Sequence, residues 1–175
     1  VVWSQISYCR NSVGGEWNYH VDPGASPENL DWEAFLGSAP KKPFNREHFF
    51  RFRKYWDYSG GIATDLHYHK LAPILLAVGA DFPHRVTSGG GVWVHEDTGH
   101  QSPREVPDTL MTVIDMPEKH TILLASSMAN ANGLPDLIRG HEANLHFVGG
   151  GVEIRPEEGT YGRKFRESHG GKDSV

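Results

Sequence analysis

Cysteine is almost missing from this chain: Cys9 stands alone among 175 residues. A single thiol excludes an internal disulfide and any zinc cluster built on cysteines, and it suits a reducing compartment. Set in an alternating apolar run beside Val2, Ile6 and Tyr8, it reads as packing, with no base placed to make it a nucleophile. Long apolar runs are missing too. None approaches the roughly 18 residues a membrane-spanning helix needs. Positive charge is outweighed: Lys and Arg number 17 against 22 Asp and Glu, a net charge of −5 at pH 7. That balance argues against nucleic acid or an anionic membrane surface as the partner. The opening "VVWSQISY" has neither an initiator Met nor a basic signal region. It starts inside a strand pattern, so the chain is expected to be one domain of a longer protein, with a cytoplasmic location favoured.

Catalytic signatures are equally sparse. No G-x-G-x-x-G follows a strand and opens a helix, so no dinucleotide cradle is expected. No G-x-S-x-G marks a serine nucleophile, and no His-Glu-x-x-His spacing marks zinc. With 11 histidines, a metal site built from His20, His95 or His100 with Asp65 stays open as an alternative to the expectation of no metal.

What is present is globular: 38% hydrophobic residues, 11% of all residues aromatic, and a length that supports one sizeable core. Residues 1–8 alternate as a strand. Residues 9–30, with Gly-Gly, Asp-Pro-Gly and Ser-Pro, read as a long excursion. "DWEAFLG" reads as a short helix capped by Asp31 or Asn29 and stopped by Gly37. The stretch 40–61 crowds seven aromatics among arginines and lysines. It is read as an arm that packs its rings inward and leaves its cationic stems on the surface; a sugar- or partner-facing arm is the first alternative and a nucleic-acid stacking platform the lesser one.

Residues 62–78 predict the one long helix, between Gly60-Gly61 and Gly79, with Ile62, Leu66, Pro73 and Leu76 on its apolar stripe, widened by Leu75 and Val78. Pro73 should bend it, leaving the His69 carbonyl without a donor. Strands follow at 85–95, 109–116 and 120–128, the last two joined through "PEK" as a hairpin. Three short strands, "LIRG", "ANLHFV" and "GVEIRP", complete the pattern, and a polar tail beyond Pro156 should fray. The expected fold is α+β: an open, predominantly antiparallel sheet with helices on one face. Residues 1–156 form one substrate-binding and oligomerisation domain with an insert-like arm at about 9–58, and 157–175 form the tail.

On this helix Asp65 and His69 stand at i and i+4, a spacing that brings side chains together on one face. A carboxylate beside an imidazole fixes its tautomer and raises the basicity of the far nitrogen, which suits proton removal from a hydroxyl. The plain alternative is a dipole-stabilised Asp and an unrelated surface His. Arg53, Tyr55, Trp56, Asp57 and Tyr58 precede the helix and supply the aromatic faces and polar groups that suit a sugar ring. Asn130 and Asn132 are weaker candidates for the same cleft, and Arg139 reads as structural.

The stretches "YWDYSGGIATDL" with His69, "VPDT", "MAN", "IRG" and "GGGVEIRPEE" resemble the C-terminal domain of the Gfo/Idh/MocA (glucose–fructose oxidoreductase/inositol dehydrogenase) family, over nearly the whole chain. The resemblance implies a dihydrodipicolinate-reductase-like α+β domain with an open sheet whose bare face pairs subunits into a homo-oligomer. It implies NAD or NADP held by an N-terminal Rossmann domain that is not in this chain, and a small carbohydrate or polyol substrate. It places proton transfer on His69 with Asp65 as the orienting partner, matched with Gly60 and Gly61. Two departures stand out: many members carry Asp where this chain has Ala72, and Gly where it has His67. The implied activity is hydroxyl oxidation or reduction by the intact protein, with the isolated chain inactive. Glycoside cleavage through oxidation, elimination and reduction, and a non-enzymatic oligomerisation or binding module, remain the alternatives.

Overall fold

The computed structural model describes residues 1–79, 81–96 and 103–174. Seven strands, β1 (Trp3–Cys9), β2 (Arg85–Gly91), β3 (Thr109–Met116), β4 (His120–Ser127), β5 (Leu137–Arg139), β6 (Ala143–Val148) and β7 (Gly151–Pro156), form one sheet in the order β2-β3-β4-β1-β5-β6-β7. Every pairing is antiparallel except β1 with β4. The helices are α1 (Trp32–Leu36), α2 (Arg46–Phe50), α3 (His67–Val78) and α4 (Gly159–Ser168), with a 3-10 turn at Phe52–Lys54 and a π-helical turn at Ile62–Leu66. This is the α+β open sheet expected. No helix among the described residues is long and apolar enough to cross a membrane.

The two faces of the central strands differ, as the period-2 rule requires. Ile6, Ile114, Met116, Ile122 and Leu124 point to one face, where Ile74, Leu71, Leu75 and Val78 of α3 pack on them. Met111 and Val113, between those positions on β3, are exposed on the other. A second cluster, Trp17, Ile62, Leu66, Val106 and Met128, seats the π-helical turn. The β3–β4 hairpin closes through Pro117-Glu118-Lys119, with Lys119 in the left-handed region (φ 56°), a common geometry for three-residue loops.

Four expectations are corrected. The helix does not begin as an α-helix. Gly61 enters with φ 56°, and a Cβ there would lie 2.7 Å from Val106, so only glycine fits. The first turn is wide, with His67 N–H reaching back to the Ile62 carbonyl. That turn holds one residue more than an α-turn, so Leu66 and His67 are both buried and the apolar stripe shifts to Leu71, Ile74, Leu75 and Val78. Pro73 is exposed and Leu76 is 89% exposed. The strand expected over 85–95 stops at Gly91, because the Asp108 carboxylate takes the backbone N–H groups of Trp93, Val94 and His95 at 2.9–3.1 Å and curls the chain away. Lys54 in the arm is fully buried. Its ammonium reaches Asn18 and Glu47 at 2.8 and 3.4 Å. The tail is not frayed: α4 docks on β6 and β7, with the Tyr161 ring 4.0 Å from that of His141. Gly162 makes this possible, since a Cβ there would meet the Glu157 carbonyl at 1.5 Å.

Candidate active site

The residues singled out in the sequence separate into three places. The first is the start of α3. Asp65, half-buried on the π-helical turn, accepts a hydrogen bond from Arg53 Nε at 2.9 Å through Oδ1. Arg53 also lies over the Phe52 ring, 4.5 Å from its centroid. The arm is thus tied to the helix through its charge. His69 is exposed on the first turn of α3, with the rings of Tyr68 and Tyr8 at 5.5 and 6.4 Å. It makes no hydrogen bond among the described residues, and the i, i+4 contact with Asp65 is not formed. The widened turn and the pull of Arg53 account for this: the carboxylate reaches back to the arm rather than along the helix.

Around His69 stand residues that the sequence did not single out. Tyr8, at the end of β1, has the Arg10 guanidinium 5.0 Å and the Lys70 ammonium 5.9 Å from its ring centroid. Lys70 pairs with Asp136 at 2.6 Å, and Asp136 also accepts the Ser7 N–H at 3.1 Å. Arg10 pairs with Glu16 at 3.4 Å. With Arg53–Asp65 this gives three cation–carboxylate couples near one imidazole, a surface rich in donors and acceptors with little net charge. The parallel pairing of β1 with β4 brings Tyr8 here, and nothing local in "SYCR" signals it.

The second place is the interior of the arm. Tyr55 is fully buried, its ring stacked on His48 at 4.0 Å and its hydroxyl on Glu47 at 3.1 Å. Its ring therefore faces the interior of the arm and not the surface, unlike the exposed aromatic face that the sequence suggests. Tyr58 packs against Trp32 and Phe35, and its hydroxyl lies 3.3 Å from His48 Nδ1. Burial pushes the Tyr58 pKa up and that of His48 down. Burial raises the Glu47 pKa, but the Arg51 guanidinium, the Tyr55 hydroxyl and the Lys54 ammonium together outweigh it and hold the carboxylate low. Trp56 and Asp57, between the two tyrosines, face outward.

The third place is the other face of the sheet, where Asn130 and Asn132 line a shallow pocket with Met111, Leu123 and Ala125. They are not brought to His69. Arg139 lies over the Trp3 ring at 4.0 Å, within the fold. His67 is 4% exposed, its Nε2 has no partner among the described residues, and burial pushes its pKa down to about 4. No group of three or more His, Cys, Asp or Glu among the described residues can hold a metal ion; His100 lies outside those residues. The α3 start also does not fit a dinucleotide. It follows a π-helical turn rather than a strand, and Asp65 puts a carboxylate where a pyrophosphate needs bare amides.

Comparison with known proteins agrees with this architecture. The chain has the fold of levoglucosan dehydrogenase, solved in complex with NADH and L-sorbose (16% identity, TM-score 0.56, 91% of this chain and 36% of that one). It also has the fold of an NAD-binding protein from Listeria innocua (16% identity, TM-score 0.52, 90% and 34%). The chain therefore spans about a third of the length of these solved structures. No curated protein matches it. Residues 11–108, more than half the chain, match the Gfo/Idh/MocA group described as "Oxidoreductase family, C-terminal alpha/beta domain". The chain belongs to that oxidoreductase family, as its C-terminal α/β domain.

Proposed function

We propose that this chain is the substrate-binding and catalytic half of an NAD(P)-dependent oxidoreductase acting on a hydroxyl of a neutral sugar or polyol. The observation that carries the reading is His69: an exposed imidazole with no hydrogen bond among the described residues, on the turn after Asp65, within a family of oxidoreductases. A free imidazole beside a substrate hydroxyl takes its proton as the C–H bond breaks. The nicotinamide dinucleotide, held by a Rossmann domain of the intact enzyme, supplies the hydride acceptor when bound. Asp65, clamped by Arg53, braces the turn on which His69 stands and acts on the imidazole through the backbone, not through a hydrogen bond. Arg53 offers its remaining guanidinium N–H groups to substrate oxygens. The neutralised couples around Tyr8 favour an uncharged, polyhydroxylated ligand over an acidic one.

The bare sheet face with Met111 and Val113 is the surface through which copies of the domain pair. Among the described residues no element of the isolated chain suits a dinucleotide, and saturable NADH binding by it would contradict this reading. The direct test is His69→Ala in the intact enzyme. The kcat is expected to fall by roughly 10²–10⁴-fold, the scale of a lost general base, and an unchanged kcat overturns the assignment.

A further inference from the structure

Asn132 and Gly133, which the fold carries to the other face of the sheet from His69, form the only Asn-Gly pair in the chain. Asparagine is a thermolabile side chain. It decays chiefly when the backbone nitrogen of the next residue attacks its amide carbon. A side chain on that next residue crowds the attack, and glycine has no Cβ to do so. The dipeptide alone marks a chemical tendency, and the fold decides whether it is expressed.

Here the fold leaves the way open. Residues 130–136 form no helix or strand, and Asn132 and Gly133 are both exposed. The Gly133 N–H, the attacking group, donates to nothing among the described residues. The Asn132 amide is held there by one bond, from Nδ2 to Asn130 Oδ1 at 3.2 Å, within the same exposed segment. Packing also keeps the dipeptide as it is. A Cβ on residue 133 would run into Ser7 Oγ, so the contact with β1 demands the very residue that speeds the reaction.

We infer that Asn132 is a site of spontaneous deamidation in the folded protein, with water as its only co-reactant. The Gly133 nitrogen gives its proton to solvent and bonds to Asn132 Cγ. The Cγ–Nδ2 bond breaks, and Nδ2 takes a proton from solvent and leaves as ammonia. The cyclic imide then adds one water, and no atom is oxidised or reduced. Opening at Cγ gives aspartate. Opening at the backbone carbonyl carbon gives isoaspartate, whose main chain runs through Cβ and Cγ.

Both products place a carboxylate, ionised at neutral pH, in the shallow pocket beside Met111, Leu123 and Ala125. Only isoaspartate adds a main-chain atom, and it does so between two anchored points. On one side the Ala129 N–H is bonded to Ser127 Oγ at 3.1 Å. On the other, Ser7 Oγ donates to the Leu134 carbonyl at 2.8 Å and Ser7 N–H to Asp136 Oδ1 at 3.1 Å. The added atom therefore slackens the hold of Asp136 on Ser7.

The test incubates the folded 175-residue chain near neutral pH at body temperature, beside a sample in urea, and maps its peptides over time by mass spectrometry. Asn132 is expected to gain the mass of an amide-to-acid exchange, at a rate within about tenfold of that in urea. Asn130 and Asn29, also exposed but followed by Ala131 and Leu30, should remain amides. Hydroxylamine should cleave the incubated chain between Asn132 and Gly133 by trapping the imide, and isoaspartate should exceed aspartate in the product. In the converted fraction the Ser7 amide should exchange faster, whereas Asn132→Asp, with the charge but no added atom, should leave it protected. Asn132→Gln, which would need a larger ring, should stay intact. Conversion of Asn132 no faster than that of Asn130 overturns the proposal, and so does a folded rate far below the rate in urea. Aspartate without isoaspartate would exclude attack by the Gly133 nitrogen and overturn it as well.

Discussion

Lowering the pH from about 7.5 to about 5 is expected to cost the fold about 2 kcal/mol through His67 alone. The residue is buried, its Nε2 lacks a partner among the described residues, and its folded pKa lies at about 4 against an ordinary 6.5. In the folded chain the ring therefore stays neutral, while in the unfolded chain it takes a proton first. Its contribution is fully present above the unfolded pKa and drains away as the pH falls, levelling off below about 4. The whole interval of about 2.5 units corresponds to about 3 kcal/mol, most of it spent by about pH 5. Urea unfolding at both pH values reads the loss. His67→Leu supplies the reference, since it keeps an apolar side chain of similar bulk and cannot titrate. Carboxylates held low in the fold, such as Glu47 and Asp108, lose stability in the same direction in both proteins and cancel in the comparison. The wild type should lose about 2 kcal/mol more than the variant. Parallel pH dependences would show that His67 finds a proton acceptor or solvent in the folded chain, and would refute the reasoning.

Gly61→Ala should destabilise the chain by about 2–4 kcal/mol, from left-handed strain plus overlap with Val106, and Val106→Ala should recover part of the loss in Tm. Asp108→Ala removes the acceptor for three successive amides and should cost about 2–4 kcal/mol. Hydrogen exchange at Trp93, Val94 and His95 should then speed up selectively; uniform protection would show that the loop holds itself. Val113→Glu places a charge on the bare sheet face. If copies pair there, size-exclusion chromatography should show dissociation with little change in the urea midpoint, whereas an unchanged elution volume removes that face from assembly.

Much of this fold follows from local rules. The α1 helix has the Asp31 cap and the Gly37 stop expected of its sequence, with the Asp31 carboxylate accepting the Ala34 N–H at 2.9 Å. The β3–β4 hairpin and the β5–β7 meander lie where alternation and turn residues put them. What escaped was decided mostly by partners distant in sequence. The π-helical turn depends on Val106 pressing on Gly61, and the early end of β2 depends on Asp108. The α4 helix depends on a contact between Gly162 and the Glu157 backbone that no helical periodicity records. The candidate site shows the same division. Asp65 and His69 were visible as a spacing, but the Arg53 clamp and the Tyr8 neighbourhood arise only once the arm and β1 are folded against α3. The motif from Tyr55 to Tyr58 looked like one aromatic face, and burial divides it into two inward pegs and two outward groups.

The position of β1 has a further consequence for how the protein comes to be made. This first strand lies between β4 and β5, with Trp3 paired to both Thr121 and Arg139. On a ribosome β1 is made before either neighbour, and both are synthesised more than a hundred residues later. Closing such a distant pairing is slow, and until then the strand's edges and Ile6 are exposed to other chains. Synthesis of the central sheet is thus all-or-none with respect to Arg139: a chain stalled or truncated before that point holds its first strand without both partners, and should be soluble only with a chaperone's help.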